Sequence, residues 1–260
     1  MSCLFVVPTL GERPALLERS LQSIRDQEGP VVDLVLVAPP GRGVELLAER
    51  FDARFVPDPR RGGLSGGLNA GLAASRPDNR YFAWLGDDDL LTPGSLLATT
   101  SALDSTPEAV LAYGWCDYID EADEIVFRSR AGRLARLILP FGPNLIPQPG
   151  SLMRYDAVLA AGGLDETIKL AMDLDLFLRL RKQGTFVSLP RTLACFRWHD
   201  DSATVSNGEL SMEESDQVRM RYMPASGRHT YEYLRWPGRW ALAAAKRRVD
   251  HNVAREVARR

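Results

Sequence analysis

Three consecutive carboxylates, Asp87-Asp88-Asp89, follow the apolar run Tyr81-Phe82-Ala83-Trp84-Leu85 after a single glycine, Gly86. A short apolar run bounded in this way reads as a buried strand, so the acids fall at its carboxyl end. Two carboxylates about 5 Å apart repel by roughly 3 kcal/mol at an effective dielectric of about 20. Solvent, protonation or a bound cation must relieve that repulsion. Oxygen donors favour Mg²⁺ or Mn²⁺, and Mg²⁺ typically takes one or two protein carboxylates together with the phosphates of its substrate. The trio therefore points to a metal-bridged phosphate ligand. The plain alternative is a solvated turn ahead of a helix opened by Thr92-Pro93-Gly94. Ligands of open α/β sheets gather at strand carboxyl ends, which favours the ligand reading.

Other residues with chemical potential are scattered. Pro8-Thr9-Leu10-Gly11 follows the first apolar run, and its one glycine cannot form the G-x-G-x-x-G turn of a nicotinamide or flavin enzyme. Thr9 and Glu12 lie on that loop, as nucleoside contacts or as a turn and a helix-opening acid. The glycine tract Gly62-Gly63-Leu64-Ser65-Gly66-Gly67-Leu68-Asn69 leads into a helix. It serves either close approach to an anion at a helix start or tight helix packing. Asp173 opens a strongly amphipathic helix, and His199 closes Phe196-Arg197-Trp198-His199.

The elements that must position these residues alternate through the first half. Strands are expected at Leu4 to Val7, Asp33 to Val37, Arg54 to Val56, Tyr81 to Leu85 and Val110 to Tyr113. Helices are expected at Pro14 to Gln27, at Val44 to Arg50, from near Gly66, and from Pro93 towards Leu103. That alternation predicts an α/β fold, a mainly parallel Rossmann-like sheet flanked by helices. Later come strands at Ile125 to Arg128 and Ser151 to Arg154, a short helix at Tyr155 to Ala161, and the helix from Asp173 to Gly184. Two more strands are expected at Phe186 to Leu189 and Leu193 to Phe196, and helical, polar sequence past Ser206.

Taken in order, V-V-P-T-L, G-G-L-N-A-G-L, W-L-G-D-D-D-L-L-T-P-G-S-L, G-G-L-D-E, A-M-D-L-D-L-F-L-R-L and F-R-W-H resemble family 2 glycosyltransferases of the GT-A fold, over residues 3 to 205. The resemblance implies transfer of a hexosyl or deoxyhexosyl group from a nucleoside diphosphate sugar to a hydroxyl, with inversion and with Mn²⁺ or Mg²⁺, in cell-surface polysaccharide or glycolipid synthesis. It assigns Asp88 to the metal, Asp87 to ribose or metal, Asp89 to the metal's surroundings and His199 to the metal or diphosphate. Asp173 becomes the general base: a carboxylate of pKa about 3.9 is ionised at neutral pH and can take the acceptor proton. Its alternative is a helix cap. Gln148, Gly150 and Met172 fall on the acceptor side, and Asn69 on the donor side. The chain departs from the family pattern at three places. Gly86 stands where many relatives carry the first acid of L-D-x-D-D. Met172 replaces a common glutamate. Ala38-Pro39-Pro40-Gly41 replaces a turn whose aspartate reads the nucleoside, leaving Asp58 and Arg61 as substitute contacts and uridine, thymidine and guanosine donors all open. The alternative function on the same fold is non-catalytic nucleotide-sugar binding or scaffolding.

With 260 residues, 45% hydrophobic and 25% charged, the chain has the composition of a globular protein with one sizeable core. Cys3, Cys116 and Cys195 are far apart and odd in number, which argues against a disulfide framework or zinc site and suits a reducing cytoplasm. No apolar run approaches a membrane span. The net charge is −2, but Arg235 to Arg260 holds 8 basic and 2 acidic residues, leaving an acidic body. That tail suits the inner face of an anionic membrane, through an apolar stripe of Leu242, Val249, Val253 and Val257, or docking on the chain's own domain or a second subunit; nucleic acid is not indicated. The expected division is a glycosyltransferase domain at 1–205, with a donor half at 1–115 and an acceptor half at 116–205, and a helical basic extension at 206–260.

Overall fold

The computed structural model describes residues 2–58, 63–130, 132–199 and 208–257. Strand β1 (Ser2–Pro8) is apolar at nearly every position because both of its faces are covered. Alternate residues serve two cores. Leu4 and Val6 pack with Leu68, Leu72, Phe82 and Trp84 on one side, and Cys3, Phe5 and Val7 with Leu17, Leu21 and Ile24 on the other.

Around β1 the sheet runs β3-β2-β1-β4-β8-β6-β9-β5, with β7 added to β6. The strands are β2 (Val31–Ala38), β3 (Arg54–Pro57), β4 (Asn79–Trp84), β5 (Leu90–Leu91), β6 (Ala109–Ile119), β7 (Ile125–Ser129), β8 (Leu152–Arg154) and β9 (Thr185–Arg197). Strands β1 to β4 pair in parallel, so Pro8, Ala38, Pro57 and Trp84 all end on one edge. From β8 onward the sheet is mixed: β4/β8, β6/β8, β6/β7 and β5/β9 are antiparallel and β6/β9 is parallel. Strand β6 runs through the expected division at residue 115.

Helices α1 (Pro14–Arg25), α2 (Val44–Arg50), α3 (Gly63–Ala73) and α4 (Ser95–Asp104) join the early strands, and α5 (Ala135–Ile138), α6 (Tyr155–Ala160) and α7 (Met172–Leu180) follow. From Gly63 onward the glycine tract lies inside α3, Gly62 falling outside the described residues. A Cβ on Gly71 would sit 2.5 Å from Val6 Cγ1, and one on Gly67 3.4 Å from Pro8 Cβ. Gly67 and Gly71, four apart, therefore let the helix backbone rest on β1.

The two strands expected around Pro190 are one continuous strand. Ser188 pairs with Tyr113 and Thr192 with Trp115, so β9 carries two extra residues there, and that irregularity accommodates the proline. The chain closes with α8 (Gly208–Tyr222) and α9 (Ala225–Val257). Val249 is buried with Val126 and Trp198, and Val253 packs on them. Trp198 Nε1 donates to Asp250 Oδ1 (3.0 Å), and Asn252 Nδ2 to the Val126 carbonyl (2.8 Å). The part of the tail's apolar stripe around Val249 and Val253 is thus covered by the chain's own β6–β9 region. Among the described residues no helix is long and apolar enough to cross a membrane.

Candidate active site

Strand register builds the first part of the site. Val6 pairs with Trp84 in the parallel β1/β4 ladder, so three residues further on Thr9 comes level with Asp87. The Thr9 hydroxyl donates to Asp87 Oδ2 (2.5 Å) and itself accepts the Gly11 N–H (3.0 Å). Burial raises the Asp87 pKa, partly offset by that hydroxyl. Antiparallel pairing of β5 with β9 supplies the second part. Leu90 opposite Cys195 brings the acids beside Arg197, and His199 Nε2 lies 2.7 Å from Asp88 Oδ2. Arg13 Nη1, from the loop after β1, is 3.0 Å from the same oxygen and 2.6 Å from His199 Nε2.

Asp89 points the other way. It is 4% exposed, its Oδ1 accepts the Arg197 backbone N–H (2.9 Å), and burial with the neighbouring Asp88 charge raises its pKa well above the carboxylate range. The Asp89 carboxyl, expected near the metal, pins the turn to β9. Arg197, 1% exposed, completes the clamp, donating to the Asp88 carbonyl (3.0 Å), the Asp120 carbonyl (2.6 Å) and Asp123 Oδ1 (2.7 Å). Gly86 is a steric requirement. A Cβ there would stand 2.8 Å from Asp89 Oδ2 and 3.1 Å from Asp88 Oδ1, so the acid found in relatives has no room while both carboxylates keep these positions.

Asp173 lies in the first turn of α7. The N-cap is Ala171 and makes no side-chain cap, so Asp173 is not the cap. Its Oδ1 accepts the Leu174 N–H (2.7 Å) and its Oδ2 the Asn144 amide (3.0 Å). Burial pushes its pKa up to about 6. The start of α7 is held by Glu214 of α8, whose carboxylate accepts the N–H groups of Lys169 (3.0 Å), Leu170 (2.6 Å) and Ala171 (2.8 Å). Asp175 is structural, paired with Arg179 (2.5 Å) and accepting the Tyr222 hydroxyl (2.5 Å). One loop touches both centres: Asn144 holds Asp173, and Gln148 Nε2 donates to the Trp84 carbonyl (2.8 Å) at the end of β4.

Several expected contacts have other partners. Asn69 donates to the Leu164 carbonyl and Glu166 Oε1 and accepts the Leu164 N–H, each at 2.9 Å, tying α3 to the 163–166 loop. Met172 is 5% exposed, in the core, with the Ser65 hydroxyl 3.1 Å from its sulfur. Gly150, with φ +78°, packs on β9, where a Cβ would meet Leu193 Cβ at 2.8 Å. The Met172 side chain and Gly150, both expected on the acceptor side, face the interior. Glu12 is exposed on the loop after β1, and Asp58 follows β3 on the same edge, its N–H bonded to the Ala38 carbonyl (2.9 Å). Arg61 lies outside the described residues. Sequence reasoning missed Arg13, Asn144 and Glu214. Only Arg13 carried a signal, as a cation four residues past Thr9 on the same loop.

Among the described residues no three histidine, cysteine, aspartate or glutamate side chains group so as to hold a metal by themselves. Asp88 with His199 offers two donors, which leaves room for oxygens from a ligand.

Residues 4–158 match the family described as glycosyl transferase family 2. The mannosyltransferase PcManGT from Pyrobaculum calidifontis, solved with GDP-Man and Mn²⁺, superposes with a TM-score of 0.65 at 15% identity, covering 99% of this chain and 75% of that one. S. aureus TarS 1-349 in complex with UDP-GlcNAc gives 0.61 at 14%, covering 84% and 65%. Of a longer TarS structure this chain covers 43%. No curated protein matches significantly. The ordered strand-end site and the match over more than half its length agree: the chain belongs to glycosyl transferase family 2 and has the GT-A fold.

Proposed function

We propose that this glycosyltransferase is a metal-dependent, inverting enzyme that moves a sugar from a nucleoside diphosphate to a hydroxyl of a glycan or lipid-linked acceptor. Residues 1–115 serve the donor, 116–205 the acceptor, and 206–260 form the basic extension. The observation that carries this reading is the loop from Asn144 to Gln148, which ties Asp173 and the Asp87–Asp88 strand end into one site.

Asp88 and His199 would hold the cation. An oxygen and an imidazole nitrogen suit Mn²⁺ better than Mg²⁺, which prefers oxygen alone. When bound, the cation acts as a Lewis acid on the departing diphosphate. Arg13, which meets Asp88 and His199 when no cation is bound, would turn onto the diphosphate as a second positive charge. Thr9 orients Asp87 on the strand-end edge, where Glu12 and Asp58 would add nucleoside contacts from the loops after β1 and β3. Asp173 takes the proton of the acceptor hydroxyl as its oxygen attacks the anomeric carbon opposite the diphosphate. A carboxyl poised at about 6 is ionised at neutral pH yet more basic than an exposed aspartate. Asn144 fixes the carboxylate that accepts the proton.

The test is a thermal-shift screen of UDP-, GDP- and dTDP-sugars with and without Mn²⁺, since a ligand binding only the native state raises the midpoint. Product analysis with the stabilising donor follows. Metal-dependent stabilisation and turnover, both lost in Asp88→Ala, support the proposal. Binding without turnover returns the non-catalytic reading, and stabilisation or turnover indifferent to Mn²⁺ removes the metal.

A further inference from the structure

We infer that the outer face of α9 is a docking surface for an anionic lipid bilayer. The helix places Gly238 and Val249 against the body, where a Cβ on Gly238 would be 3.5 Å from Pro143 and Val249 is 2% exposed. At 3.6 residues per turn, Trp236, Trp240, Arg247 and His251 project from the opposite side, flanked by Arg248 and Arg255. All six are exposed, Trp240 at 71%.

The occupant follows from the chemistry of that face. Tryptophans at one end and arginines at the other, along roughly 30 Å of helix, match the headgroup level of a bilayer. The only acid between Trp236 and Arg255 is Asp250, whose carboxylate accepts the Trp198 indole N–H. The acidic body repels an anionic surface, so this basic face would orient the molecule on it. Val249 and Val253, two of the residues assigned to the membrane by sequence, face inward, and the face available to lipid is the other one.

The helix also flanks both ends of the site. Gly238 packs at Pro143, next to the Asn144 that holds Asp173, and Asp250 holds Trp198, next to His199. Lying flat, α9 would set the cleft beside the membrane, where a lipid-anchored acceptor presents its hydroxyl. That acceptor class rests on the proposed transfer reaction; docking itself does not, and is measured without turnover.

The test is co-sedimentation of the full chain with vesicles of equimolar phosphatidylglycerol and phosphatidylcholine, against pure phosphatidylcholine. Binding should require the anionic lipid and weaken in high salt. Arg247→Glu with Arg248→Glu and Arg255→Glu should lower the partition coefficient by on the order of a hundredfold, and Trp236→Ala with Trp240→Ala by about tenfold. These residues are exposed, so thermal midpoints should stay at the wild-type value; the single change Trp240→Ser serves as the milder variant. Equal binding to both vesicle types, no binding to either, or a dimer in light scattering that the tryptophan changes dissociate would each overturn the inference.

Discussion

Arg13 Nη1 lies 3.0 Å from Asp88 Oδ2, and His199 Nε2 meets the same carboxylate oxygen at 2.7 Å. A guanidinium therefore stands where an ion shared by Asp88 and His199 would stand. Asp88 keeps a cationic partner before any ligand arrives, which relieves the repulsion built into three adjacent acids. On the proposed reading, a divalent cation held by Asp88 and His199 would displace Arg13, leaving its guanidinium to turn onto the diphosphate.

Arg13→Gln should accordingly tighten Mn²⁺ in the absence of nucleotide by about fivefold, the equivalent of a partly exposed ion pair of roughly 1 kcal/mol. The same change should weaken binding of the nucleoside diphosphate. Free Mn²⁺ counted by electron paramagnetic resonance reads the first effect and calorimetry the second. Unaltered Mn²⁺ affinity would separate Arg13 from the ion site.

Asp173 sets a pH dependence. Its carboxyl titrates at about 6 in the folded chain against 3.8 ordinarily, so transfer should rise with pH up to about 6 and level off above. Between those values the folded protein holds a proton that the unfolded chain has lost, and this group's contribution to stability falls as pH rises through that window. Asp173→Asn should abolish transfer, keep donor affinity, and leave the thermal midpoint at neutral pH at or above wild type. An ascending limb near 4, or turnover in Asp173→Asn, would remove Asp173 as the base.

Gly86→Ala introduces a Cβ against Asp89 Oδ2 and Asp88 Oδ1. Overpacking of this kind costs about 1–3 kcal/mol. Because the displaced atoms belong to the site, donor affinity should fall more than stability does. Titration calorimetry beside a denaturation curve distinguishes this from a purely structural glycine, for which stability alone would drop.

Arg197→Met leaves the carbonyls of Asp88 and Asp120 and the carboxylate of Asp123 without their buried guanidinium. Asp123 keeps Arg19, but each of the two carbonyls left unsatisfied costs about 1–3 kcal/mol, together a fall in midpoint on the order of 10 °C in a chain of this size. A midpoint within a degree or two of wild type would show that the clamp is dispensable.

Much of the first half was legible because local pattern and tertiary environment agree there. The span Val44–Arg50 was read to the residue, and β1 to β4 within two or three residues at each end. Elsewhere context won. Pro190 reads as a strand breaker, yet a register irregularity lets β9 pass through it. The glycine tract reads as anion cradle or packing surface, and only the Pro8 side chain beneath Gly67 reveals the packing at that position. Asn69, Gly150 and Met172 match family positions, but the partners that occupy them lie on segments distant in sequence.

By itself the sequence determined the alternation that makes an α/β sheet, the strand-end acids and the helix that starts beside Asp173, because burial period and turn chemistry are local properties of the chain. Tertiary structure decided which acids face the site. The two-residue strand Leu90–Leu91 is too short to leave a periodic signal, yet its pairing with Ala194 and Cys195 turns Asp89 inward and brings His199 to Asp88 across 111 residues. A hydrogen-bond register between distant segments has no trace in either segment alone, and it is that register which separates Asp87 and Asp88 from the inward-turned Asp89.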